Sequence, residues 1–334
     1  MNVGLIGYGY WGPNLARNVI QNSPFNLLYV CDSDASRLKV VQKNYPFVNT
    51  CLDYNEVIND ADIDCIVIAT NPLSHYKIAK KALLNNKHVL VEKPMTTNIG
   101  YAEDLINIAE QKKLTLMVDH TFLYNGVIST MKEIIDGGNL GKLNYIDSTR
   151  INLGIFQNDI NVLWDLSSHD LSVINYFLKQ KVISVAATGK CHFKNNIEDI
   201  AYLTLFYESD IIVHIHSSWM SPVKIRKMLI GGNKQMLVFD DIEPTEKLKI
   251  YDSGYTLLKE TDKEKVLVDY RIGDVYVPKY NTKEPLASMI QDFCNSVEKS
   301  TKPLSGYESA LFNIKVLCAA EESLKNNGKE VMVR

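Results

Sequence analysis

Short apolar runs alternate with amphipathic stretches through the first 120 residues of the chain. Asn2 to Ile6 is an apolar run closed by glycines, and it predicts a strand. Residues from Pro13 to Gln21 suit a helix, with Pro13 tolerated in its first turn. Leu27 to Cys31 reads as the next strand, and the charged stretch Asp34 to Asn44 as the next helix. Asp64 to Ala69 is almost continuously apolar, as expected of a central strand covered on both faces. His75 to Asn85 is amphipathic, with Ile78, Ala79, Ala82 and Leu83 on one side. Val89 to Val91 is a strand, Tyr101 to Lys112 a helix and Leu114 to Val118 a strand. Such alternation implies parallel β-α-β units with right-handed crossovers. The first half is therefore read as α/β, a doubly wound parallel sheet.

Near residue 120 the pattern changes. A helix from Asn125 to Ile135 is followed by the turn cluster Gly137-Gly138-Asn139-Leu140-Gly141. Strand patterns then dominate: Leu143 to Ile151, Val182 to Gly189, Ala201 to Tyr207, Ile211 to Trp219, Lys224 to Ile230 and Met236 to Asp240. Turns such as Glu208-Ser209-Asp210 and Gly231-Gly232-Asn233 separate several of them, which favours antiparallel hairpins. One helix, Asp165 to Leu178, interrupts the series, and helices from Leu286 to Lys299 and Tyr307 to Asn326 end it. The reading is a first domain over 1–120 and an α+β second domain over 121–334, built on an open, mostly antiparallel sheet. The C-terminal helix is a candidate to pack back on the first domain. An open sheet face with apolar residues needs covering, so a homodimer or homotetramer is expected.

Composition narrows the class. A chain of 334 residues suggests two domains, and 46% hydrophobic with 22% charged residues is a globular balance. Thirty-six Lys plus Arg against thirty-nine Asp plus Glu leave a net charge of −3, which makes no electrostatic case for nucleic acid or an acidic membrane. No apolar run approaches the roughly 20 residues that span a bilayer. Met1 leads straight into a strand-like run without the order of a signal peptide. Cys31, Cys51, Cys65, Cys191, Cys294 and Cys318 form no C-x-x-C pair and read as reduced thiols of a cytoplasmic protein.

The glycine turn after the first strand carries the first chemistry. Gly7-Tyr8-Gly9-Tyr10-Trp11-Gly12 fits G-x-G-x-x-G. Gly7 allows the tight turn, Gly9 the approach of a pyrophosphate, and Gly12 close packing of helix on strand; Tyr10 and Trp11 are counted with the turn. The helix N-terminus offers N–H groups to phosphates. Asp32 ends the second strand, where a carboxylate accepts hydrogen bonds from the adenosine ribose. It repels a 2′-phosphate, so NAD is favoured over NADP; Arg37 nearby weakens that preference or covers the adenine. A Rossmann-type dinucleotide site is the reading.

Two further clusters suggest proton and charge chemistry. Glu92-Lys93-Pro94 sits at the carboxyl end of the strand Val89 to Val91, where ligands of open parallel sheets bind. A lysine there stabilises negative charge developing on a substrate oxygen, unless it is an ordinary loop residue. In Trp164-Asp165-Leu166-Ser167-Ser168-His169-Asp170, Asp165 and His169 are four apart and share one helix face. An imidazole suits proton transfer from a hydroxyl near neutral pH; the alternative is a helix cap and a packed histidine. His214 and His216 have metal-ligand spacing on one strand face, but no third ligand is evident and no metal is expected. The charge run Lys259 to Lys265 reads as a solvated turn.

Together the Gly7–Gly12 turn, Asp32, Glu92-Lys93-Pro94 and Asp165-x-x-x-His169 resemble the glucose–fructose oxidoreductase / inositol 2-dehydrogenase / MocA family in order and spacing, over essentially the whole chain. The resemblance implies a nicotinamide-dependent oxidoreductase acting on a sugar, polyol or related alcohol. It implies that Lys93 is catalytic and positions substrate, that His169 is the general acid/base, and that Asp165 binds substrate or supports it. It implies a cis Lys93–Pro94 bond. It makes Thr70, Asn71 and Pro72, with Glu92 and Lys93, part of the cofactor wall, whereas His75 is read as the first turn of the following helix. His120 and Asn125 flank a run that resembles the family's crossover, and they either face substrate or pack. Arg150-Ile151-Asn152-Leu153-Gly154 and the residues around Asp165 resemble the nucleotide-sugar branch. That likeness implies oxidation at C3 of a sugar ring or reduction of a 3-keto sugar. Arg150 then holds an anionic group of the substrate, or lies at a strand end in solvent. Two other readings stay open: an NAD-binding regulator without turnover, and a redox-neutral enzyme that retains NAD.

Overall fold

The computed structural model describes residues 1–154, 156–193, 197–257 and 268–334. The Lys259 to Lys265 run lies outside the described residues. The chain divides into two compact units, Met1–Asn125 with Lys283–Lys315, and Gly126–Thr282 with Val316–Arg334.

In the first unit, six parallel strands lie in the order β3-β2-β1-β4-β5-β6: β1 (Asn2–Ile6), β2 (Asn26–Cys31), β3 (Asn49–Cys51), β4 (Cys65–Ile68), β5 (His88–Glu92) and β6 (Leu116–Asp119). The helices between them are α1 (Gly12–Asn22), α2 (Ala35–Asn44), α3 (Tyr54–Asn59), α4 (Pro72–Leu84) and α5 (Ile99–Lys112). Strand β4 is buried at all four positions, as its unbroken apolar run demands. The order reverses between β1 and β4, so the carboxyl end of β1 opens at the switch point where such sheets bind ligands. A short 3-10 turn, Thr121–Tyr124, follows β6.

The second unit starts with α6 (Gly126–Asp136) and β7 (Leu143–Leu153). A π-helical turn, Leu163–Ser167, runs into α7 (Ser168–Phe177). Then come β8 (Val182–Lys190), β9 (Ile200–Tyr207), β10 (Ile212–Ser218), β11 (Met220–Gly232), β12 (Met236–Asp240), β13 (Leu248–Tyr251), β14 (Gly254–Leu257), β15 (Val268–Arg271) and β16 (Val275–Tyr276). After these, α8 (Pro285–Lys299) belongs to the first unit, α9 (Tyr307–Lys325) crosses from one unit to the other, and β17 (Val331–Met332) closes the chain. Nine strands form one sheet in the order β16-β13-β12-β11-β7-β10-β9-β8-β17, and β14 pairs with β15. Neighbours are antiparallel except β7 and β10.

The units depart from a division at residue 120 in two respects, the first being that the boundary falls after Asn125. In addition, residues 283–315 fold with the first unit, not the second. The cause is the apolar face of α8: Leu286, Met289, Ile290, Phe293, Cys294 and Val297 share a core with Val3, Leu5, Leu15, Ala16 and Val19. Without that face, one side of β1 and α1 stands in water, at a cost of about 1.5–3 kcal/mol for each large side chain.

Candidate active site

In the first unit the glycine turn is shaped by close approach. Gly7 has φ +100°, and a Cβ there would stand 2.4 Å from the Ala69 carbonyl oxygen. A Cβ on Gly12 would lie 2.3 Å from the Gly7 carbonyl oxygen, so helix α1 can start against the turn only with glycine. A Cβ on Gly9 would meet only the Arg37 guanidinium, at 3.5 Å, which leaves the space above Gly9 for a phosphate to approach. Helix α1 has no side-chain cap and no acidic residue in its first turn, so its first N–H groups point to an anion-binding end. Tyr10 is exposed and stacks on Trp11.

Asp32 is buried, and the turn holds its carboxylate. The Tyr8 N–H donates to Oδ2 at 2.6 Å and the Asp34 N–H to Oδ1 at 2.9 Å. Arg37 lies 3.2 Å from Oδ2. Arg37 thus lies over the glycine turn as the partner of Asp32. These residues fit NAD: the start of α1 would offer its N–H groups to anionic phosphates, and a buried carboxylate stands at the end of β2.

The strand-end loop after β4 is tied to the lysine loop after β5. Thr70 bonds Ser74 between hydroxyls at 2.7 Å, Asn71 caps α4 by accepting from the Ser74 N–H, and Pro72 begins the helix. His75, fully buried in the first turn of α4, has Nδ1 2.8 Å from the Pro94 carbonyl oxygen and Nε2 3.1 Å from that of Thr70. The Lys93–Pro94 bond is cis. Pattern reading placed His75 in that helical turn, but nothing in the pattern shows that its imidazole joins the two loops.

Next to Lys93 two carboxyls divide their charge unequally. Asp119 is buried and accepts from Trp11 Nε1 at 2.9 Å, the Thr121 N–H at 3.1 Å and the Thr121 hydroxyl. The Glu92 carboxyl is pushed well above the usual carboxylate range, first by burial and then by the Asp119 carboxylate. Burial and the neighbouring Asp119 thus both favour the protonated form of Glu92, while Asp119 is held by three donors. Through Trp11 the same aspartate links the glycine turn to the end of β6.

His120 is buried, and neither ring nitrogen has a hydrogen-bond partner among the described residues. Burial, then the nearby Lys93 charge, lowers its pKa from 6.5 to about 4, against the Asp119 carboxylate, which raises it. It stands as a neutral ring packed in the first unit; the expectation that it faces substrate gains no support from this burial. The unfolded chain takes up a proton here near pH 6.5 and the folded chain only near pH 4. Stability from this group is therefore complete above pH 6.5 and lost as pH falls toward 4, by about 3 kcal/mol. Between pH 7 and 4.5 the urea midpoint should fall further in the native protein than in His120→Leu; equal slopes would remove His120 from the acid sensitivity. Asn125 ends the 3-10 turn, half-buried, with its N–H on the Phe122 carbonyl.

In the second unit the chain from Ile160 to Ile174 is buried at every position except Asp165 and His169. The expected continuous α-helix from Asp165 is corrected: Asp165 lies in the π-helical turn and His169 in α7. Both are part-buried, while the residues around them in the chain are fully buried. Asp165 Oδ2 accepts from Trp219 Nε1 at 2.9 Å, which fixes its carboxylate on the end of β10. A hydrogen bond between the Ser167 and Ser217 hydroxyls, at 2.8 Å, pins the same turn to that strand.

Arg150 does not stand in solvent. Its guanidinium, buried in β7, grips Asp170 of α7 with two bonds, Nε to Oδ2 at 2.9 Å and Nη2 to Oδ1 at 3.0 Å. The fork pairs the charge of Asp170 in the core and orients α7, so Arg150 supports the helix that carries His169. His214 and His216 lie on the outer face of β10. His214 Nδ1 is 3.1 Å from the Thr204 hydroxyl, and Tyr202 stacks on both rings.

Comparison with known proteins bears on both units. Residues 1–120 match the model of the GFO/IDH/MocA oxidoreductase family with its NAD-binding Rossmann fold, and residues 128–238 match that of the GFO/IDH/MocA C-terminal domain. The uncharacterised oxidoreductase YdgJ of Escherichia coli is 26% identical over 259 residues, 74% of this chain and 73% of that one. Myo-inositol 2-dehydrogenase of Thermotoga maritima is 22% identical over 272 residues, 76% of this chain and 79% of that one. The UDP-N-acetylglucosamine 3-dehydrogenase GnnA from Acidithiobacillus ferrooxidans shares the fold with a TM-score of 0.81, at 20% identity over 98% of each chain.

Proposed function

Since the chain belongs to the GFO/IDH/MocA family of NAD-binding oxidoreductases, we propose that it oxidises a hydroxyl of a sugar or polyol, or reduces the matching ketone. The finer reading is C3 of a nucleotide sugar or a related polyol. The observation that carries it is the pair Asp165 and His169, the two part-buried residues of an otherwise buried fifteen-residue stretch. A carboxylate that binds a hydroxyl and an imidazole that exchanges its proton are what an alcohol oxidation asks of a protein.

The Gly7–Gly12 turn and Asp32 hold NAD, with Thr70, Asn71 and Pro72 beside it. NAD, when bound, supplies the hydride chemistry. In the oxidative direction His169 takes the hydroxyl proton, and the Lys93 ammonium stabilises the charge left on oxygen. In reduction the same imidazole returns the proton. Asp165, held by Trp219, orients a second hydroxyl. NAD is preferred over NADP because Asp32 repels a 2′-phosphate, with the Arg37 ion pair moderating that preference. The test is absorbance at 340 nm with NAD or NADP and a panel of inositols, methyl glycosides and UDP-N-acetylglucosamine. A rise that is larger with NAD supports the reading. NAD binding by calorimetry with no rise for any compound refutes it in favour of a regulator or a redox-neutral enzyme.

We also propose that the outer face of the nine-stranded sheet is covered by a second copy. Tyr145, Ile212 and Phe206 line up across β7, β10 and β9, beside the Tyr202–His216 stack at 4.4 Å. Tyr145, Tyr202 and Ile212 are exposed, a row that favours burial. Light scattering should give a multiple of 37.8 kDa; a mass of one chain at micromolar concentration excludes the dimer and tetramer.

A further inference from the structure

The second unit holds a pocket of about 190 Å³ beside the Asp165 support. Phe156, Phe193 and Trp219 wall it, and Gln157, Asn158 and Asp199 add polar groups. The Phe156 and Phe193 ring centres are 4.3 Å apart at 54°, and Phe156 meets Trp219 at 5.7 Å and 69°. The rings therefore form a tilted, concave wall, not a parallel slot. Phe193 is 54% exposed, an unusual position for a phenyl ring that has no core to fill. Trp219 is fully buried and donates its Nε1–H to Asp165, so one side chain both lines the pocket and aims the carboxylate assigned to substrate.

We propose that this pocket is a subsite for a neutral saccharide ring that adjoins the ring being oxidised. The inference rests on the reading of the substrate as a sugar and extends it to a sugar of at least two rings. Size sets the first limit: drug-sized ligands fill roughly 300–1,000 Å³, so this space takes one ring. Charge sets the second. Among the described residues the lining carries the Asp199 carboxylate and no lysine or arginine, which disfavours a phosphate there. Asp199 is itself buried and held by the His192 N–H at 2.6 Å, with Nδ1 at 2.8 Å from the other oxygen, so its charge is fixed in place. Shape sets the third. A pyranose presents C–H groups of slight positive charge to the negative faces of aromatic rings, and tilted rings follow its curved face better than a flat base. The side-chain amides of Gln157 and Asn158 supply donors and acceptors for its hydroxyls.

Saturation-transfer NMR on the full chain with NAD tests the assignment. The probes are methyl maltoside, methyl cellobioside, methyl chitobioside, UDP-N-acetylglucosamine and myo-inositol. Native protein should transfer saturation to ring C–H protons of at least one two-ring glycoside. Phe193→Ala, at an exposed position, should weaken that binding roughly tenfold, Phe193→Tyr should restore it, and myo-inositol should be unaffected. Three outcomes overturn the proposal: no glycoside binds, Phe193→Ala binds them as the native protein does, or the uracil protons take the saturation that Phe193→Ala removes. The last outcome assigns the pocket to a nucleobase. Absorbance at 340 nm separates the two readings. Turnover that is indifferent to Phe193 leaves the dehydrogenase standing without the subsite, and glycoside binding without turnover leaves the subsite without the dehydrogenase.

Discussion

Replacing His169 with alanine should lower kcat by about 10²–10⁴ while NAD binds as in the native protein. The size follows from the role. Without an imidazole the alcohol proton must leave to water, and the barrier rises by the several kcal/mol that a placed base removes. The separation of effects follows from the chain: the glycine turn and Asp32 belong to the first unit, whereas His169 is carried by α7 in the second. The thermal midpoint of the variant, measured on the same preparation, separates a loss of proton transfer from a loss of packing around the part-buried His169. Steady-state rates and NAD calorimetry on one preparation make the measurement. A kcat within threefold of native would take the proton-transfer role away from His169. His169→Asn should be no better than alanine, because an amide cannot accept the proton.

Lys93→Ala should cost about 10²–10³ in kcat/KM. The ammonium acts on charge that develops in the transition state, so the loss falls mainly on kcat. Lys93→Arg should recover little, since a planar, delocalised fork does not replace a compact point charge at one oxygen. The loop should keep its shape in both variants: the His75 imidazole reaches the Pro94 carbonyl, and the Lys93 N–H donates to Glu92 Oε2 at 3.2 Å. The thermal midpoint and NAD affinity should therefore stay native. A variant that loses both activity and NAD binding would show Lys93 to be a structural part of the cofactor site.

Much of the first unit could be read from periodicity because its strands are buried on both faces and its helices on one. Strand β4 shows the rule, and the glycine turn shows it at a single point, where φ and close approach leave no other residue. What escaped was short or owed its form to distant partners. Strand β3 has three residues and α3 six, too few for a period to emerge. Strands β13 to β17 are also brief, at two to four residues each. The π-helical turn under Asp165 has no signature of its own, as packing and the Trp219 bond set its geometry. Arg150 illustrates the limit for site residues: an arginine near a strand end looks available until Asp170, twenty positions away, is brought against it. The upward push on the Glu92 carboxyl is likewise invisible until the fold buries it and brings Asp119 beside it. Asp165 and His169 could be picked out as candidates from their spacing alone, and both are only part-buried in a stretch that is otherwise buried.

The return of residues 283–315 to the first unit bears on how the protein is made. Chains emerge from the ribosome N-terminal end first, at about 5–20 residues per second. Strands β1 to β6 are complete once Asp119 has appeared, but α8 follows only after the whole stretch Gly126–Thr282 of the second unit has been synthesised. For some seconds to half a minute the faces of α1 and β1 that α8 covers, with Leu15, Val19 and Val3, stand open to solvent. The nascent chain in that interval is a ready client for chaperones that hold apolar surface. A fragment ending at Asn125 would remain in that condition permanently.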